Sequence, residues 1–448
     1  MTTLHLTFDR GTIRIHGSGL ADGLPGVLWD PRTSCHRAPA YRLMEICTSA
    51  RERGVALAGP ALGRRDERIA VRVPPLRGYQ SDALAAWRGF GRRGVVALPT
   101  GAGKTRVAIA AIAEAACATA ILVPTCALVE QWSRELAQWT ELPIGILGDG
   151  ENRVETITVM TFESAYRRLD RLGDRFRLLV VDEAHHFGAG FRAEALEASV
   201  APFRLGLTAT PPPFGSAAGE RIRDLIGPVV CEVAVAELAG GHLAPFEIVQ
   251  LTVRFDDEER AAYTAASEPF AAAARAFRRA HGPATVWGDL VAHLGKTREG
   301  RGALAGWHRA RAIASLPRAK MALIGELLER HQDRKLLVFT AFAKDAYAVA
   351  AEQLIPAITA DIGRLEREDL LGRFRDGRYH SLVSSRVLNE GVDVPDAEVA
   401  ILAGGVLGRR ERLQRIGRVL RASPGKSATI YELVTAGTAD ERRQREGG

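Results

Sequence analysis

The eight residues LPTGAGKT, Leu98 to Thr105, constrain this chain more than any other stretch. They follow the apolar run RGVVA and precede RVAIAAIAEAA, whose apolar positions suit a helix. A strand passing into a helix through so short a turn aims successive backbone N–H groups at one point, and residues with little or no side chain let an anion come close. Such a turn holds phosphate, with Thr100, Gly101, Ala102, Gly103, Lys104 and Thr105 around it. The Lys104 ammonium reaches the outer phosphates, and the Thr105 hydroxyl is placed to ligate magnesium. The full phosphate-loop pattern asks for glycine where Leu98 stands, so the match is to the looser P-T-G-x-G-K-T form.

From Leu76 onward apolar runs alternate with helical patterns: GVVALP, TAILVP, TITVMT, RLLVVDE and FRLGLTAT. Such alternation implies βαβ units and a parallel sheet, with ligands at the carboxyl ends of its strands. LLVVDEAHH puts Asp182 and Glu183 at one such end, where two adjacent carboxylates are costly without a cation or a task. Asp182 is expected to hold the magnesium, directly or through water, and Glu183 to orient and deprotonate the water that attacks a γ-phosphate. His185 and His186, read as neighbours on an extended strand, point to opposite faces and make no metal site. His185 is instead expected to relay between the nucleotide and a second domain.

That second domain follows an Ala/Arg-rich helical region over about 256–316, and its strand signals are KLLVFTAF, HSLVSSRV, VAILAGG and ATIYELV. Its segment QRIGRVLR holds Gln414, Arg418 and Arg421. The two arginines, three apart, share a helix face and present planar guanidinium groups to a transferring phosphoryl group. At the other end, residues 1–74 carry the short strand-like runs LHLTF, TIRIHG and IAVRV and stop at Pro74-Pro75, which reads as a small α/β domain.

A chain of 448 residues has room for about three domains. A net charge of +7 permits a polyanionic partner without demanding one, but its distribution is uneven. Residues 270–314 hold eight Arg or Lys, Arg275, Arg278 and Arg279 among them, against Asp289 and Glu299 alone. Five cysteines without a C-x-x-C pair argue against a disulfide framework and fit a reducing cytoplasm. Cys35, His36 and Cys47 match no zinc spacing. The N-terminus has no signal-peptide pattern, and no apolar run is long enough to span a membrane.

In chain order, PTGAGKT, DEAH, LTAT and QRIGRVLR resemble motifs I, II, III and VI of superfamily-two helicases. LRGYQ resembles the adenine-reading segment of that superfamily, with Gln80 as base contact. PTCALVEQW and VMTFESA resemble motifs Ia and Ib, which implies strand contacts at Thr125 and Thr161. LLVFTAF resembles motif IV, and VSSRVLNEGVDVPDA resembles motif V, which brings Gly391 and Asp393 near the nucleotide. The resemblance spans about Leu76 to Leu433. It implies a P-loop, DEAH-box ATPase of α/β class with two RecA-like parallel-sheet lobes, in which His185, Thr208, Thr210 and Gln414 couple hydrolysis to movement.

Within the superfamily the chain is most similar to XPB-type DNA helicases in their short prokaryotic form. LPGVLWDPRTSCHRAPAYR resembles the opening of their N-terminal damage-recognition domain, and the basic helical insertion lies where they carry a thumb. The implied layout is a damage-recognition-like domain over 1–74, an ATP-binding lobe over 75–233 and a second lobe over 234–448 with a thumb-like insertion at about 256–316. The implied activity is ATP- and magnesium-dependent helicase or translocase action, 3′ to 5′, in nucleotide excision repair. Single-stranded DNA and duplex junctions are the expected substrates, Arg275, Arg278 and Arg279 the expected thumb contacts, a nuclease a further partner, and the nucleoid of the cytoplasm the setting. Competing readings are a duplex-DNA translocase subunit of a restriction or phage-defence system, an RNA-acting relative, and an ATP-gated DNA clamp. One departure stands out: XPB proteins carry Arg-Glu-Asp shortly after Thr-Ala-Thr, whereas here Thr210 is followed by PPPFGSAAGE, a stiff segment without those charges.

Overall fold

A computed structural model describes residues 3–17, 21–59, 69–148, 150–238, 245–282, 287–385, 397–404, 427–439 and 441. The chain divides into two compact units, Met1–Leu238 and Ala239–Gly448.

The first unit begins with β1 (Thr3–Asp9), β2 (Thr12–His16), β3 (Leu28–Asp30), β4 (Cys35–Pro39), α1 (Leu43–Glu52) and β5 (Ala56–Ala58). They form a five-stranded sheet in the order β3-β4-β2-β1-β5. Alternation in LHLTF and TIRIH puts Leu4, Leu6, Ile13 and Ile15 on one buried face, against Leu43, Ile46 and Ala50 of α1. Val200, from far along the chain, completes that core.

Next come α2 (Gly78–Gly89), β6 (Arg93–Ala97), α3 (Lys104–Ala115), β7 (Thr119–Val123), α4 (Cys126–Ala137), β8 (Ile144–Gly148), β9 (Glu151–Arg153), β10 (Ile157–Thr161), α5 (Phe162–Leu172), β11 (Leu178–Val181), α6 (Glu194–Glu197), β12 (Phe203–Thr208), α7 (Ala217–Leu225), β13 (Val229–Glu232) and α8 (Val235–Leu238). The eight-stranded sheet runs β13-β6-β12-β11-β7-β10-β8-β9 and is parallel except for β9. Its central strands β7, β10 and β11 are buried along their whole length, the pattern of a parallel sheet covered on both faces. Arg204 lies fully buried in β12. Its guanidinium donates to the carbonyls of Ala201 (3.2 Å), Ser199 (2.7 Å) and Leu225 (2.5 Å), and burial pushes its pKa down to about 9. The run IAVRV, expected as a strand, is not one. Ile69 and Arg72 direct their N–H groups to Ala116 O and Trp139 O, so the segment is spent on single bonds to helix ends and pairs with no strand among the described residues.

The second unit holds β14 (Phe246–Val253), α9 (Asp257–His281), α10 (Trp287–Gly295), α11 (Arg298–Ser315), α12 (Arg318–Arg330), β15 (Leu336–Phe339), α13 (Ala343–Gln353), β16 (Ala357–Ile358), α14 (Arg364–Arg375), β17 (Ser381–Ser384), β18 (Val399–Leu402) and β19 (Ala428–Thr435). Its six strands form a parallel sheet, β14-β19-β18-β15-β17-β16. Helices α9 to α11 stand between β14 and β15 in sequence, with a small core of Ala274, Phe277, Leu290 and Leu294. Asp256 and Glu259 close the first turn of α9 as a capping box. The far end of the insertion is anchored on the lobe by Thr435 Oγ1 donating to Ala314 O (2.9 Å) and Ser315 Oγ donating to the buried Asp345 carboxylate (2.7 Å).

Candidate nucleotide-binding site

The turn from β6 to α3 has the shape its sequence demands. Gly101 and Gly103 adopt φ of 83° and 79°, which side-chain-bearing residues resist, and a Cβ on Gly103 would run into the Gln80 amide. Gly103 is the N-cap of α3, and its lack of a side chain leaves the first helical N–H groups directed at whatever anion sits above. Two donors, Tyr79 Oη and Gln80 Nε2, both 2.8 Å away, hold the Ala102 carbonyl. Gln80 Oε1 accepts from Arg77 N (2.9 Å). The Gln80 amide, expected to read a base, is therefore 2% exposed and engaged at both ends in shaping the loop. Lys104 Nζ lies over the carbonyls of Leu98 (3.2 Å) and Pro99 (3.4 Å). Thr105 follows on the first turn of α3.

Strand β11 delivers Asp182 to the same edge of the sheet. Its carboxylate accepts from Trp132 Nε1 (2.9 Å) and from the Glu183 backbone N–H (3.0 Å). Burial raises its pKa, against the opposing pull of the Lys104 ammonium and the Trp132 indole. Trp132 is the residue that sequence reasoning missed: its buried indole N–H requires an acceptor, and the fold, not the sequence, supplies the Asp182 carboxylate.

Glu183 takes a left-handed backbone conformation, φ 49°, unusual for a residue with a long side chain. That turn ends the strand and starts a 3-10 helix, Ala184–Gly188, which overturns the reading of the two histidines as neighbours on extended backbone. Their rings lie 4.4 Å apart rather than on opposite faces. Among the described residues no group of three His, Cys, Asp or Glu side chains could hold a metal. His185 is buried, with Nδ1 2.8 Å from Thr208 Oγ1 and 3.4 Å from the Glu183 carboxylate. Thr208 Oγ1 also accepts from Thr210 N (3.1 Å), and Thr208 O accepts from Leu98 N (3.0 Å). A continuous chain of contacts thus runs Glu183–His185–Thr208–Thr210 and returns to the start of the phosphate loop.

Several buried polar atoms beside the loop lack a protein partner and are available to a ligand. Among the described residues Thr100 Oγ1, Thr210 Oγ1 and His185 Nε2 are such atoms. With the loop N–H groups and Lys104 they make a donor set suited to a nucleotide triphosphate, and Asp182 with Thr105 makes an oxygen set suited to magnesium.

The remaining candidates are scattered. Thr125 and Thr161 cap α4 and α5, accepting from Leu128 N (3.3 Å) and Ser164 N (3.1 Å), at the strand ends beside Asp182. Arg275, Arg278 and Arg279 are exposed on α9 in the second unit, Arg275 paired with Glu268 (2.6 Å). Gly391, Asp393, Gln414, Arg418 and Arg421 lie outside the described residues. After Thr210 the three prolines end in Phe214, 96% exposed, and Ser216 Oγ closes the turn by donating to Pro213 O (2.6 Å) while capping α7.

Comparison with known proteins matches residues 74–213 to the type III restriction enzyme res subunit family, 319–423 to the helicase conserved C-terminal domain and 6–58 to the Xeroderma pigmentosum group B helicase damage recognition domain. The chain is 36% identical over 425 residues to the DNA 3′-5′ translocase XPB2 of Sulfurisphaera tokodaii, covering 94% of this chain and 95% of that protein. It belongs to the XPB-type helicase family. A second XPB relative, the DNA 3′-5′ helicase XPB of Mycobacterium tuberculosis, is 32% identical over 380 residues, and the match spans 82% of this chain and 61% of that protein's length. The helicase domain of Hef from Pyrococcus furiosus shares the fold, with a TM-score of 0.50 at 19% identity over 83% of this chain and 98% of that one. The two parallel sheets of this XPB-type chain are accordingly RecA-like lobes. Among its described residues no helix is long and apolar enough to cross a membrane.

Proposed function

We propose that this XPB-type helicase couples ATP hydrolysis to 3′-to-5′ movement on DNA, in the setting of DNA repair. The observation that carries the reading is the chain from Lys104 and Asp182 through Glu183 and His185 to Thr208. It joins a phosphate loop, a pair of strand-end carboxylates and the strand end from which the Thr-Ala-Thr segment leaves. In this reading Thr100 to Thr105 hold the phosphates, Thr105 and Asp182 hold magnesium, and Glu183 takes the proton of the attacking water. Bound magnesium supplies charge neutralisation on the phosphate oxygens. Of the residues outside the described ones, Arg418 and Arg421 are assigned to stabilising charge on the transferring group, Gln414 to coupling, and Gly391 and Asp393 to the nucleotide. His185 passes the state of the nucleotide to Thr208 and Thr210. Gln80 is the base contact in this reading, and its amide also fixes the loop through Ala102 O.

The domains assigned to 1–74, 75–233 and 234–448, with the insertion at about 256–316, supply DNA engagement, ATP binding, lobe closure and strand grip respectively. Thr125 and Thr161 face the tracked strand, and Arg275, Arg278 and Arg279 grip it from the insertion. The nucleoid is the proposed location and a nuclease the proposed partner at junctions. The restriction-system and RNA-acting readings are not favoured, because 94% of the chain aligns with a protein named as a DNA translocase of XPB type. The test is ATP hydrolysis with no polymer, single-stranded DNA, duplex, forked DNA and RNA. Stimulation by DNA over RNA is expected; equal stimulation by RNA, or none by DNA, refutes the reading.

A further inference from the structure

Two indole side chains of the helical insertion stand apart from its own core, which Phe270 borders. Trp287, at the start of α10, is 49% exposed, with its ring 5.1 Å from that of Trp307 and 5.8 Å from that of Phe270. Trp307 is half-buried, and the core of the insertion is built without either indole. A half-exposed tryptophan leaning on a second one is an expensive surface to leave in water, since each ring carries a large apolar area.

The stripe continues beyond the insertion. Arg311, one turn after Trp307 on α11, sets its guanidinium 4.7 Å over the Trp307 ring and 5.9 Å from the ring of Phe342. Phe342 belongs to the loop between β15 and α13, and Lys344 Nζ lies 5.9 Å from the same ring. Phe270, Trp287, Trp307, Arg311, Phe342 and Lys344 thus trace one path from α9 to the carboxyl edge of the second sheet, three rings in succession and then, from Trp307 inward, rings alternating with cations. Arg278, Arg279, Arg301 and Arg309 are exposed elsewhere on the same two long helices.

From this geometry we infer that the stripe is a stacking platform for an unpaired DNA strand, with Trp287 as the base-contacting ring at its outer end. The inference rests on the DNA-helicase reading and deepens it. Flat rings accept any base by its face, and interleaved cations take the phosphates between; this is the combination that binds single strands without regard to sequence. A purely phosphate-binding insertion would need the arginines and have no use for an exposed indole.

The experiment uses the full chain and a labelled oligothymidine, compared with an abasic strand of equal length and charge, across a range of salt. Trp287→Ala is expected to weaken binding of the thymidine strand about tenfold and leave the abasic strand unchanged, as the loss of one stacked base predicts. The slope of log K against log salt should not move, because every phosphate keeps its cation. Trp287→Phe keeps a ring and should restore most of the affinity, which separates stacking from folding. Equal weakening on both strands, or undiminished binding of the thymidine strand by Trp287→Ala, overturns the platform. Duplex-stimulated ATP hydrolysis by the unaltered chain is read in parallel: its absence defeats the helicase reading, and its presence without a Trp287 effect defeats the platform alone.

Discussion

Replacing Thr208 with valine removes one hydroxyl and almost no volume, from a side chain with no exposure at all. Two partners lose their bond: His185 Nδ1 at 2.8 Å and the Thr210 N–H at 3.1 Å. A buried polar group left unpaired costs about 1–3 kcal/mol. His185 retains the Glu183 carboxylate 3.4 Å away as a fallback and the Thr210 N–H is only partly buried, so a destabilisation at the low end, about 1 kcal/mol, is expected. Trp87 and Trp132, both buried in this lobe, report its unfolding in a urea titration by fluorescence. The functional loss should concentrate in coupling. If about 1 kcal/mol of the disrupted network reaches the hydrolysis barrier in the DNA-bound state, DNA-stimulated turnover falls several-fold while unstimulated turnover changes less. Thr208→Ser keeps both hydrogen bonds and should retain the stimulation. A Thr208→Val protein with the unaltered urea midpoint and an unaltered ratio of stimulated to basal hydrolysis would refute the idea that this hydroxyl joins the carboxylate pair to the Thr-Ala-Thr segment.

Lys104→Ala should abolish tight nucleotide binding, whereas Glu183→Gln should bind ATP and fail to turn it over; equilibrium binding and single-turnover hydrolysis separate the two, and Arg418→Ala or Arg421→Ala should lower kcat by about three orders of magnitude for the arginine nearer the γ-phosphate. Arg204→Ala leaves the carbonyls of Ser199, Ala201 and Leu225 without a guanidinium donor and should lower stability by on the order of 3 kcal/mol, seen in the same urea titration. Joint replacement of Arg275, Arg278 and Arg279 with alanine should weaken DNA binding and reduce its salt slope by close to one unit for each phosphate no longer neutralised. Displacement of a triplex strand should outpace opening of a forked duplex at matched ATP hydrolysis, because each base-pair step costs about 1.4 kcal/mol to unstack and the charged triplet is missing; grafting Arg-Glu-Asp over Pro213, Phe214 and Gly215 should raise unwinding, and efficient unwinding without the graft would show the departure to be neutral.

The parallel sheets are legible in the sequence because their signal is local. Runs such as AILV and LLVV, short, rich in aliphatic residues and alternating with helical patterns, read as strands covered on both faces, and a Gly-rich turn ahead of a helix aims its N–H groups at one point. What is not legible depends on partners distant in sequence. Nothing within IAVRV says that its N–H groups meet Ala116 O and Trp139 O, so an alternating run reads as a strand. The two histidines depart from the extended pattern because Glu183 turns left-handed, against the preference of the residue itself. Resemblance places Gln80 and Trp132 within motifs. Their hydrogen bonds, to Ala102 O across 22 residues and to the Asp182 carboxylate across 50, come from the folded sheet alone.

The N-terminal sheet and the first RecA-like lobe share Val200 in one core, and their backbones approach so closely that a Cβ on Gly11 would strike Ala198 and one on Gly173 would strike Phe8. This is the packing of a domain interior rather than of two bodies that slide. The N-terminal domain is therefore carried as ballast by the lobe that holds Lys104 and Glu183, displaced whenever that lobe is displaced. If this domain engages DNA as proposed, an obstacle that grips it acts on the motor as a brake, and the load reaches the strand ends of the proposed ATP site with no separate messenger required.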